Sequence, residues 1–87
     1  MKNWKERLAL PEGNTLTPRT LAEVYGMDRI LVEQHRGILS YGTQCIRIGA
    51  TYGCLVVDGE DLRLCCMSKH QLVIRGRVHQ LRMEGGD

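Results

Sequence analysis

The sequence predicts an all-β domain, and three observations support this prediction. Short apolar runs recur from Ile30 onward, and several alternate with polar residues, as half-buried strands do. Ten glycines against two prolines supply turns between these runs. No run has the length of a crossover helix, which argues against parallel βαβ units. We expect a mainly antiparallel meander forming a small barrel or curled sheet, with a short β-solenoid as the alternative.

The pattern divides the chain into three parts. Residues 1–29 are weakly patterned and are expected to form an N-terminal arm of short helices or loops. Residues 30–83 are expected to form the β domain, and 84–87 a tail.

Two short helices are expected in the arm. The first covers residues 4–10. The second begins at Pro18, which suits the first helical position after Thr17 as the N-cap, and ends at Gly26. An extended conformation over residues 21–25 is the alternative for this second segment.

The β region has a readable order of strands and turns. Ile46 and Ile48 should point inward, as should Leu72 and Ile74 in the last strand. Asp58-Gly59 is a typical two-residue hairpin signal, and residues 68–70 predict the next turn.

The last strand changes its inward face between residues 72–78 and 81–83. One extra residue near His79 and Gln80, or a bend at Gly76, would restore the alternation. Such a change is typical of a β-bulge.

The run from Val32 to Tyr41, VEQHRGILSY, resembles the ENHRGI-x-x-Y segment of YqfC-type proteins, with Gln34 where Asn is usual. Further matches follow in order at residues 46–48, 53–62 and 72–78. The chain therefore resembles the YabP/YqfC family of sporulation proteins over nearly its whole length.

This resemblance implies a function. Members of the family act in endospore formation in the mother cell, and one is needed for spore-coat assembly. We expect a non-enzymatic protein of spore envelope or coat morphogenesis. YqfC-type proteins are encoded beside a membrane protein, which implies a membrane-bound partner of the YqfD type. Self-association through strand edges is a further expectation.

The residues indicate no catalytic, metal or cofactor site. No nucleophile lies beside an identifiable base. The four cysteines are separated by nine, eleven and one positions, unlike the close ligand pairs of zinc sites. We expect reduced thiols, with Cys54 and Cys66 in the core and Cys65 more exposed. No small-molecule substrate is expected.

The candidate partner-binding residues are one histidine and five arginines. The His35-Arg36 pair suits an anionic group, and the remaining arginines fall on outward strand positions. A solvated sheet face is the ordinary interpretation of such a pattern. A small basic barrel that binds nucleic acid is the functional alternative, although few aromatics accompany the arginines. The six candidates are His35, Arg36, Arg47, Arg63, Arg75 and Arg77.

The sequence also suggests a location. No apolar run approaches the roughly 20 residues of a membrane span, and residues 1–10 lack the apolar centre of a signal peptide. We expect the protein in the cytoplasm of the mother cell, held peripherally at the outer forespore membrane by its partner.

Overall fold

The computed structural model describes residues 19–85, and this range forms one open, six-stranded antiparallel sheet. The strand order across the sheet is β1-β2-β6-β5-β4-β3. The all-β antiparallel prediction is therefore confirmed. The strands are β1 Leu21–Tyr25, β2 Arg29–Glu33, β3 Ile38–Tyr41, β4 Cys45–Ala50, β5 Gly53–Met67 and β6 Gln71–Gly85.

The order of the strands decides between the two expected forms, a small barrel and a curled sheet, in favour of an open sheet. Strands β3 to β6 follow one another as a meander, and the β1–β2 hairpin adds to the other side of β6. β1 and β3 are the two edges and do not pair with each other, so the barrel is wrong. The solenoid is also wrong, because every neighbouring pair of strands is antiparallel.

Residues 21–25 form a strand, so the second expected helix is wrong and its extended alternative is observed. Each residue of β1 is paired with one of β2, from Leu21 with Glu33 to Tyr25 with Arg29. This hydrogen-bonded pairing overrides a local helix signal that is weak over so few residues. The sheet thus begins within the range expected for the N-terminal arm. The first expected helix, over residues 4–10, lies outside the described residues.

Strands β5 and β6 form one long hairpin whose turn lies at residues 68–70, as predicted. The hairpin turn predicted at Asp58-Gly59 is wrong, since both residues lie inside β5. Gly59 is required there for another reason. A side chain at this position would collide with the backbone carbonyl of Arg77 on the facing strand.

The hairpin is bent by irregularities near its middle. Asp58 pairs with Gln80 and Gly59 with Val78, which leaves His79 as an extra residue in β6. The predicted bulge is therefore confirmed. Gly76, with φ +138°, lies against the backbone of Asp61 on β5. This bend divides the hairpin into two halves, one flanked by β2 and β1 and the other by β4 and β3.

The core lies between these two halves. Ile46, Ile48, Leu72 and Ile74 are fully buried, as the alternation predicted. Residues from both halves form a single apolar cluster, so the bend folds one sheet over its own inner face. The cluster contains Ile30, Val32, Ile46, Ile48, Leu55, Val57, Leu62, Leu72 and Ile74.

Hydrogen bonds outside the strand pairing hold the two halves together. The hydroxyl of Thr20 donates to the carbonyl of Gln34 and accepts from the backbone N–H of Thr51. The backbone N–H of Arg36 donates to the carbonyl of Gly49 in β4 at 2.8 Å. The segment that leaves β2 is therefore fixed to the opposite half of the sheet.

Candidate functional site

His35 lies in the interior, two residues after the end of β2, with only 9% of its surface exposed. Its Nδ1 accepts the backbone N–H of Gly37 at 3.0 Å, and its Nε2 lies 2.9 Å from the carbonyl oxygen of Ser68. The second contact requires a proton on Nε2, which fixes the tautomer. Both ring nitrogens are therefore engaged in holding the β5–β6 turn against the segment that follows β2.

Arg36, the next residue, is exposed. Its backbone pairs with Gly49 of β4, so its side chain leaves the sheet from the connection between β2 and β3. The other candidate arginines lie on β4, β5 and β6. The two members of the His35-Arg36 pair thus have different environments.

The candidate arginines on strands share one face, which we call the outer face because it lies opposite the core. Arg47 alternates with the buried Ile46 and Ile48, and Arg75 follows the buried Ile74. Residues that are direct cross-strand partners project to the same side of a sheet. The outward positions predicted for these arginines agree with this arrangement, but the structure divides them into two groups.

The first group is neutralised by carboxylates. Arg47 donates to Glu84 at 2.8 Å, and Arg82 donates to both Glu84 and Asp58. We call these four residues the paired cluster. They lie over Val56, which is fully buried although it faces away from the core cluster. The aliphatic parts of the arginines are suited to cover this apolar position.

Hydrogen bonding in the paired cluster shifts several pKa values. The pKa of Glu84 is lowered by the hydrogen bonds it accepts from Arg47 and Arg82. The pKa of Asp58 is lowered by a hydrogen bond from the Cys45 thiol and by the Arg82 guanidinium. The contact with Asp58 raises the pKa of Cys45, because only the protonated thiol can donate a hydrogen bond to the carboxylate. The cluster favours ionised carboxylates.

Arg77 has a looser pairing on the same face. Its guanidinium lies 3.8 Å from a carboxylate oxygen of Glu60, and Nε2 of His79 lies 3.9 Å from the other. All three side chains are about half or more exposed. Such exposed pairs contribute little to stability, so this contact serves to balance charge more than to hold the fold.

The second group is a row of arginines. Arg75 is the direct cross-strand partner of Arg63 on one side and of Arg29 on the other. We call Arg29, Arg75 and Arg63 the arginine row. All three are exposed. Among residues 19–85, no carboxylate oxygen lies within 4.0 Å of their side-chain nitrogens.

The row continues to the sheet edge through an aromatic ring. Tyr25 of β1 is the cross-strand partner of Arg29, and the guanidinium lies 4.7 Å from the ring centroid. At the other end, a shallow depression of about 420 Å³ lies beside the bend, on the half of the hairpin that β2 flanks. Its lining residues are Asp28, Arg63, Cys65, Arg75 and Gly76.

Sequence reasoning missed Arg29, although a signal for it was present. Arg29 directly precedes the buried Ile30, and the alternation with Ile30 and Val32 makes it outward-facing. The pattern assigns it to the arm, because the apolar run begins one residue later. Its position beside Arg75 also depends on the pairing of β2 with β6, which alternation alone does not reveal.

The cysteines are free thiols with different exposures. Cys54 is buried as predicted, whereas Cys66 is exposed, so its expected core position is wrong. The cause is a bulge: Leu64 pairs with Ile74 and Cys66 with Val73, which makes Cys65 an extra residue and changes the face of those after it. Within residues 19–85 no three His, Cys, Asp or Glu side chains are arranged to hold a metal ion.

These features define a small, bent antiparallel β module with a mixed-charge outer face. In the part of the chain described, no helix is long and apolar enough to cross a membrane. The chain belongs to the YabP family, whose family model matches residues 17–87. No curated protein and no solved structure matches it significantly. The YabP family is not a known enzyme family, and membership is consistent with a sporulation-related role.

Proposed function

We propose that this chain is a non-enzymatic assembly factor in spore envelope or coat morphogenesis. Membership of the YabP family is the observation that carries the proposal. The chain would act by binding other proteins, among them a membrane-anchored partner of the YqfD type. It would work in the cytoplasm of the mother cell and be held at the outer forespore membrane by that partner.

The two edge strands support a role in assembly. β3 exposes Leu39 and Tyr41, at 59% and 54% of their surface, and no described strand pairs with its outer side. Unpaired backbone groups along such an edge are a ready template for another strand. A second copy or a partner strand would extend the sheet there through main-chain hydrogen bonds.

The division of the outer face supports a role in recognition. The paired cluster and the Arg77–Glu60 pair neutralise their own charges, whereas the arginine row has no carboxylate partner among the described residues. His35 has no part in the proposed surface, because both of its nitrogens are engaged within the fold. Arg63 and Arg75 are the candidates that the structure brings together.

Deletion of the gene in the source organism tests the proposal. Heat-resistant spores are counted and the envelope layers are inspected by electron microscopy, with the wild-type gene restored as the control. We expect fewer heat-resistant spores and incomplete coat or cortex layers, both corrected by the restored gene. Normal spores from the deletion strain would refute the proposed function.

A further inference from the structure

The arginine row places three guanidinium groups on adjacent strands. Arg29, Arg75 and Arg63 occupy directly opposed positions on β2, β6 and β5. Neighbouring strands lie about 4.8 Å apart, so the three Cα positions span about 10 Å across the sheet. The row runs across the strands rather than along one of them, and for this reason the spacing of arginines in the sequence does not show it.

This arrangement opposes folding. Like charges at directly opposed positions of an antiparallel pair destabilise the sheet, and Arg75 has such a neighbour on each side. The described residues elsewhere on the outer face avoid this, since Arg47, Arg77 and Arg82 each contact a carboxylate. Contacts among residues 19–85 therefore do not explain the row, and an external anion would relieve its repulsion.

The row is suited to bind carboxylate or phosphate groups through directed hydrogen bonds as well as through charge attraction. All three residues are arginine, whose planar guanidinium binds such groups with two parallel hydrogen bonds. The ring of Tyr25 lies against Arg29 and helps to fix its direction. The depression beside Arg63 and Arg75 offers space for a side chain that carries the anion.

We propose that the arginine row binds an acidic, extended segment of a partner protein. This inference rests on the proposed function, because it names the chemistry of the partner. Acidic side chains at alternating positions of an extended chain point the same way and lie about 7 Å apart. Two of them fit within the 10 Å row, with one carboxylate toward Arg29 and the other toward Arg63.

A protein segment fits the surroundings better than nucleic acid or a lipid surface. Tyr25, the aromatic nearest the row, has one face covered by Arg29, and one half-covered ring is a poor platform for stacking successive bases. A planar membrane surface does not enter a depression, whereas a single side chain of an extended segment can. A segment with spaced carboxylates avoids both conflicts.

Binding of labelled probes to the purified full-length protein tests the proposal. The probes are a peptide that alternates Glu and Thr, the same peptide with Gln for Glu, single-stranded oligouridylate, and vesicles of phosphatidylcholine with phosphatidylglycerol. We expect the Glu peptide alone to bind clearly, with an affinity that falls as salt is raised. Equal binding of the Gln peptide, or tighter binding of the RNA or the vesicles, would overturn the proposal.

Substitutions then locate the site. The double variant Arg63→Gln and Arg75→Gln should weaken the Kd for the Glu peptide about tenfold, because two charge-assisted contacts are lost. Arg19→Gln removes one exposed arginine outside the row and should leave the Kd unchanged. Circular dichroism should show both variants folded, since the double variant also removes repulsion. An unchanged Kd in the folded double variant would overturn the proposal.

If the double variant does not fold, Arg29→Gln on the separate strand β2 provides the same test with a smaller expected loss. A genetic experiment separates this inference from the proposed function. The gene that encodes the double variant replaces the wild-type gene in the source organism, and sporulation is compared with that of the deletion strain. If deletion impairs sporulation but the double variant supports it fully, the row is not the binding site and the proposed function stands. If deletion has no effect, the proposed function fails, while the peptide measurements still decide the chemistry of the row.

Discussion

Alanine substitution of four glycines separates two reasons for requiring glycine in this fold. Gly37 has a positive φ of +95° and open space around its missing side chain. Gly59 has no such φ but faces the backbone of Arg77, and Gly76 has both a φ of +138° and a backbone oxygen 2.6 Å from the position of an added Cβ. Gly85 has neither constraint and is the matched control.

The expected losses of unfolding free energy follow from these constraints. A non-glycine residue at positive φ costs about 1–3 kcal/mol, which is the whole effect at Gly37. Forcing a methyl group against packed backbone costs about 1–3 kcal/mol, which is the effect at Gly59. Gly76→Ala combines both, at about 2–6 kcal/mol. An 87-residue chain has about 4–13 kcal/mol in total, so this variant loses a large share of its stability.

Urea unfolding followed by circular dichroism measures these losses of unfolding free energy. Thermal melting provides a second measurement, which also applies to Gly76→Ala, the least stable variant. For a domain of this size each kcal/mol lowers Tm by about 4–8 °C. Gly37→Ala and Gly59→Ala should each lower Tm by at least about 4 °C, Gly76→Ala by more than either, and Gly85→Ala by almost nothing. If Gly76→Ala were as stable as Gly85→Ala, the bent hairpin would be refuted.

Three further substitutions have definite expected outcomes. Gln34 has φ +59°, a conformation that asparagine adopts more readily, so Gln34→Asn should raise the unfolding free energy by a few tenths of a kcal/mol in urea titration, and a loss would contradict this. Arg75→Gln removes two like-charge neighbours and should raise it by about 0.4–2 kcal/mol, with a smaller gain at high salt. The pKa of Glu84 is lowered from 4.5, so its stabilisation is present above pH 4.5 and is lost as the pH falls through the folded value. Glu84→Gln should therefore flatten the decline in stability below pH 4.5, and an unchanged decline would exclude this role.

Much of the β region was predictable from local patterns. Alternation identified the buried positions of β4 and β6, because one face of each strand meets the core. The change of phase in β6 identified the extra residue His79 for the same reason. These predictions succeeded because the alternation of apolar and polar residues along a strand directly reflects which side chains face the core.

The wrong predictions concern residues whose structure depends on a distant strand and not on their local sequence. Asp58-Gly59 has the composition of a turn, yet its glycine allows the close approach of Arg77 on another strand. Residues 21–25 lack strict alternation, and their strand exists because β2 offers a pairing edge. Neither partner is visible from the residues themselves.

The candidate site was predictable as a set of outward arginines but not as two groups. Arg47 and Glu84 are 37 positions apart in sequence, and their contact depends on the order of β4, β5 and β6 in the sheet. Alternation identifies the face of each residue but not its neighbours on the adjacent strands. The distinction between neutralised and unneutralised arginines is therefore a product of the sheet topology.

The bend that forms the core also creates the arginine row. Glu60 pairs with Arg77, and continuing that register would place Leu62 opposite Arg75. The extra residue beside Gly76 advances the pairing by one, so that Arg63 faces Arg75 and Leu62 is fully buried. One irregularity thus buries a leucine and aligns two arginines. If the row binds an acidic segment, a folded Gly76→Ala protein whose bend has shifted should bind the Glu peptide more weakly, although no arginine has been changed.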